Sequence, residues 1–127
     1  MPATNSLPGP TDHFISLQTA IDLTTSFRTN RETILATGYQ NKNVLSFSET
    51  FNKAAFEALL AEPECAGIRV YYGMDESDQV HAVFVAVNED NEDLLPGSSQ
   101  QSQEDPVIIE AGQRCPPSCP PTSALNS

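Results

Sequence analysis

The chain has 127 residues, with 17 acidic and six basic side chains and a formal net charge of −11. That length suits one domain, and so acidic a surface repels nucleic-acid phosphates and anionic lipid headgroups, which argues against nucleic-acid and membrane partners. The charge is uneven. Residues 1–60 carry four basic against five acidic side chains and residues 61–127 carry two against twelve, so the halves stand at −1 and −10. A basic protein partner or a divalent cation stays compatible with that balance.

No apolar run approaches the roughly 20 residues that cross a bilayer. The first residues show no basic stretch leading into an apolar one, so a secretory leader is not expected and the expected location is cytoplasmic. Residues 1–10, 96–105 and 115–127 are rich in Pro, Ser, Gln and Asn. They are expected to be a flexible N-terminus, a flexible loop and a Cys/Pro-rich tail around a single domain over 11–114.

In chain order, residues 12–36 predict a helix. Phe14, Leu17, Ile21, Ile34 and Leu35 recur at helical spacing, Thr11 or Asp12 can cap the start and Gly38 suits the end. The threonines near residue 29 make a break at 29–31 plausible, since threonine is a poor helix former. A second helix is expected over 49–61 behind Ser48. Phe51, Ala55 and Leu59 form its stripe, and Pro63 stops it. The period then falls from 3.6 to 2. Residues 68–72 and 79–88 read as two strands joined by a polar turn, and an antiparallel hairpin is the natural pairing. After the polar turn 88–93, Leu94-Leu95 can begin a return strand. Val107, Ile108 and Ile109 suggest another, with Pro106 at its allowed first position. The expected fold is α+β, with two N-terminal helices packed on a three- to four-stranded, mainly antiparallel sheet.

The most unusual stretch is AGQRCPPSCPP, residues 111–121, which holds two of the three cysteines. The C-x3-C spacing is not that of thioredoxin-like sites, and zinc needs a second ligand pair. Cys65 and His81 are the candidates to join Cys115 and Cys119 as zinc ligands. A Cys115–Cys119 disulfide is the second option. In an extended polyproline run their Cα atoms would stand roughly 12 Å apart, beyond bridging range. A turn centred on Pro117-Ser118 would bring them together. Arg114 beside Cys115 favours a thiolate there. The third option is a stiff tail with free thiols that docks on its own domain or on a partner.

Other polar clusters are less specific. Asn88, Asp90 and Glu92 alternate like the start of a calcium loop, but no glycine stands sixth and Ser99, not an acid, stands twelfth. Asp75 and His81 resemble a general-base pair, but no nucleophile, oxyanion motif or phosphate loop accompanies them. Tyr71 and Tyr72 fall on opposite strand faces. One is expected in the core, and Tyr71 with Arg69 is expected to offer a contact surface on the other face.

The order GIRVYYGMDE, HAVFVAVNED, VIIEAGQRCPPSCP resembles a small family of uncharacterised bacterial proteins, mostly from Bacteroidetes. The resemblance spans Phe51 to Pro120 and rests above all on Arg-Cys-Pro-Pro-x-Cys-Pro at Arg114–Pro120. It implies no activity, cofactor or catalytic residue. It does imply that the ending belongs to this protein type. Two functions are therefore expected in competition. One is a non-enzymatic acidic interaction or structural protein that meets a protein partner or itself. The other is a metal-binding or thiol-redox protein built on Cys115 and Cys119.

Overall fold

The computed structural model describes residues 6–96 and 106–127. Most of the segment expected to be a flexible loop, and the first five residues of the expected flexible N-terminus, lie outside the described residues. Two helices occupy the N-terminal half and all strand pairings are antiparallel, which makes the fold α+β.

The first helix, α1, spans Leu17–Asn30. It begins five residues later than the periodicity predicts, because Ser16 is the cap: its side chain accepts the Thr19 N–H. Asp12 is used elsewhere, closing a turn on the Gly9 backbone. The helix ends at Asn30, where the threonine-rich break was expected. Gly38 is therefore no cap and sits in a short 3-10 turn, Thr37–Tyr39. No residue of α1 is buried.

Residues 48–50 are a strand and not the first turn of a helix. Asn52 captures the capping role by accepting the Ala54 N–H, so α2 runs only from Lys53 to Leu60. That leaves β1, Ser48–Thr50, to pair with the last strand.

The hairpin is as expected, with β2 over Gly67–Met74 and β3 over Val80–Val87, in the register Arg69↔Val85 and Tyr71↔Val83. A two-residue return strand, β4 (Asp93–Leu94), pairs with β3. The expected strand over 106–112 contributes one bridge only, with Ile109 and Phe84 exchanging backbone hydrogen bonds of 2.8 and 3.0 Å. The regular pairing comes later, in β5, Gln113–Cys115. The strands form two sheets, β1-β5 and β2-β3-β4.

Both turns of the three-stranded sheet follow one design. Asp75 and Asn88 each accept two backbone N–H groups through a side-chain oxygen, from Ser77 and Gln79 and from Asp90 and Glu92. Asp78 and Asn91 then adopt positive φ of 65°. This is the three-residue hairpin loop, a type I turn followed by a left-handed residue, which Asp and Asn tolerate. The side-chain oxygen of Asn88, which opens the calcium-like alternation, is thereby spent on the turn's own N–H groups.

The core lies where α2 meets β3. Leu59, Ala86, Leu94 and Ile109 are buried together, with Phe51, Phe56 and Phe84 packed against them. The three rings meet at centroid distances of 4.9–5.8 Å in tilted and edge-on geometry, as aromatic quadrupoles prefer. Val85 and Val87, on the opposite face of β3, are buried as well, which accounts for the apolar run of that strand. Gly112 permits a close approach. A Cβ there would stand 2.5 Å from the Phe51 ring and 2.7 Å from Glu49.

Candidate functional site

Cys115 and Cys119 form a disulfide, with Cα atoms 4.5 Å apart. The chain reverses over Pro116–Ser118, and the Ser118 N–H donates to the Arg114 carbonyl at 2.9 Å. The reversal begins one residue earlier than the turn expected around Pro117-Ser118. The two cysteines differ in burial. Cys115 ends β5 opposite Ser48 and is 6% exposed, while Cys119 is exposed.

Arg114 anchors this end of the chain. It is buried and donates to the carbonyls of Val80 and Asn43. Arg31, at the end of α1, is buried over the Phe47 ring and donates to Leu45 O and to Asn43 Oδ1. The segment 43–45 is thus held between two guanidinium groups, whose planar donor sets suit clustered carbonyls. Nothing in local spacing marks these arginines. They become recognisable only through the carbonyls the fold brings to them.

Beside the disulfide lies a cavity of about 580 Å³, between α1 and the C-terminal segment. Phe27, Arg28 and Phe47 form one wall and Cys115, Cys119 and Pro120 another. Its wall contains no acidic residue, in a chain that has 17. Its one charged side chain is Arg28, which donates to Leu125 O and Ser127 O and so ties the tail to α1. The tail therefore docks on its own domain.

The four residues considered for zinc do not converge. Cys115 and Cys119 are used on each other, and Cys65 is the free cysteine. Cys65 lies before Gly67, at one end of β2, while His81 pairs with Gly73 near the other. Six strand residues separate those ends by about 20 Å. Among the described residues, no three His, Cys, Asp or Glu side chains are placed to hold a metal ion. His81 instead contacts Asp75 through Nε2 at 2.7 Å, while its Nδ1 stands 3.3 Å from Glu110. The Gln79 backbone N–H first, and then His81, hold the Asp75 carboxyl below its ordinary value.

Arg69 and Tyr71 lie on the sheet face away from Phe84, as expected, but they are committed within the molecule. Arg69 pairs with Asp93 and donates to Asn91, and the Tyr71 hydroxyl donates to Asp93. Accepting that bond, Asp93 pushes the Tyr71 phenol above its usual range. Neither tyrosine is in the core, for Tyr72 is 76% exposed. The reason is the sheet order. The β2 strand is an edge, and the core sits over β3, its neighbour.

That edge is the other notable surface. Val80 and Phe84 donate away from β2, to Val44 and Ile109. Their partners Met74 and Val70, and Ile68 and Tyr72 in the same register, therefore direct their own N–H and C=O outward. Among the described residues no strand lies on that side. Ile68, Val70, Tyr72 and Met74 also expose apolar side chains. Comparison of the chain with protein-family models, with curated proteins and with solved structures gave no match. Among the described residues no helix is long and apolar enough to cross a membrane.

Proposed function

We propose that this protein is a cytoplasmic, non-enzymatic binding module that receives an extended, basic segment of a partner protein along the edge of β2 that no strand pairs among the described residues. The observation that carries this reading is the edge itself: four alternate residues of the eight-residue strand present outward N–H and C=O groups and exposed apolar side chains. Free edges are usually blunted by lysine, proline or a bulge. Here the one charged residue, Arg69, has its side chain turned to Asp93. Strand addition to such an edge draws affinity from main-chain hydrogen bonds and specificity from alternate side chains. Charge selects the partner. A basic segment is attracted to a half that carries −10, whereas a second copy brings the same charge and is repelled.

The test uses peptides alternating lysine or arginine with valine, titrated against the intact protein. Replacing Val70 by proline removes one outward N–H and leaves the bonds to β3 in place, because Val70 faces away from that strand. The expected result is binding that weakens with salt and falls about tenfold in V70P, with circular dichroism unchanged. Binding untouched by V70P, no binding by any such peptide, or a dimer seated on this edge would each reject the proposal.

A further inference from the structure

A disulfide that closes so short a loop adds little to stability, because the chain entropy it removes from the unfolded state is small. It is also asymmetric: Cys115 is buried at the end of a strand and Cys119 is exposed, and both border the cavity. Exposed disulfides are the exchangeable ones, and the accessible sulfur is the one attacked. The cavity, at about 580 Å³, lies in the range that receives small-molecule ligands. Its lining holds no Asp or Glu side chain and carries Arg28, whose guanidinium already donates to Leu125 O and Ser127 O, so an incoming carboxylate would take the place of those oxygens.

We infer that Cys119 is a thiol–disulfide exchange site for a small anionic thiol, one bearing a carboxylate as a peptide thiol does, received in the cavity between α1 and the tail. The thiolate of that molecule attacks Cys119 Sγ. The Cys115–Cys119 bond breaks, a mixed disulfide forms at Cys119, and Cys115 leaves with the electron pair and takes up a proton. A second thiol attacks the mixed disulfide, frees Cys119 as a thiol and departs as the small-molecule disulfide. Two electrons pass from two thiols to the protein, and their two protons end on the two cysteines. In the reverse direction the buried Cys115 closes the ring by attacking the mixed disulfide from within the chain, so that species is short-lived in the native protein. Once the bridge opens, the tail keeps its place only through Arg28 and its own packing. In a cytoplasm, where disulfides are typically transient or redox-sensing, such a bridge is a working group and not a staple.

The test uses the full chain with Cys65 replaced by serine, so that only the pair reports. Reduced and oxidised glutathione serve as the anionic couple, and cysteamine and cystamine as the cationic one. Mixed disulfides are located by alkylation and mass spectrometry. C115S is expected to hold glutathione at Cys119 as a stable adduct, whereas C119S reacts far more slowly at Cys115. The bridged protein is expected to exchange with glutathione faster than with cysteamine. That preference should fall up to about fivefold in R28A and return in R28K, the scale of one exposed charge pair. The bridged protein also tests the site without either cysteine variant. If its disulfide opens only under denaturant, if glutathione attaches equally at Cys115, or if the preference for the anionic thiol does not depend on residue 28, the inference is wrong.

Discussion

Asp75 sits at the surface yet organises the first hairpin, because one carboxyl oxygen accepts the Ser77 and Gln79 N–H groups while the other meets His81. Its folded value lies below its ordinary 3.8. The stability it contributes is therefore fully present above that ordinary value and is lost as pH falls through the lower folded one. An acid titration followed at the Ser77 and Gln79 amides by NMR should show the turn loosening only in that range. In D75N this pH dependence should vanish. Arg114 is the buried counterpart. Removing it in R114A leaves the carbonyls of Val80 and Asn43 without their donor, and we expect a loss of about 3 kcal/mol in denaturant unfolding. A loss below about 1 kcal/mol would mean that water reaches those carbonyls and that the anchor is dispensable.

Among the elements, α2 carries the core and α1 does not. Leu59 is fully enclosed between α2 and β3, so L59A should cost about 3 kcal/mol, as enclosed leucines do, with the midpoint of chemical unfolding as the measure. The strands β2 and β3 were legible in the sequence because alternation in the one and a run of β-forming residues in the other are properties of adjacent residues. The turns were legible too, since Asp75 to Asp78 and Asn88 to Asn91 place Asp or Asn at both critical positions. The first four residues of the expected second helix were not. Ser48 and Asn52 are both good caps, and local chemistry does not choose between them. The ladder to Gln113–Cys115 decides, because it gives Ser48–Thr50 strand partners that helical geometry would forgo.

For the molecule as a whole, the α+β class and the helices-first order follow from residues near one another in the chain. Periodicity, capping and turn chemistry act over four or five residues, and the sequence by itself determined them. It also determined the acidic character of the C-terminal half and, through four prolines in six residues, how few backbone donors the cysteine ending has. Whether those cysteines meet was decided elsewhere. The pairing of Ser48 with Cys115 joins distant segments and leaves Cys115 buried and Cys119 exposed. Arg28 and the tail carbonyls come together across nearly the whole chain, and the absence of acids from that cavity wall follows from which surfaces face each other. The same holds for the edge of β2, which is exposed because the core gathers over β3. Contacts of this kind depend on the packing of all the elements at once, so no window of the sequence contains them.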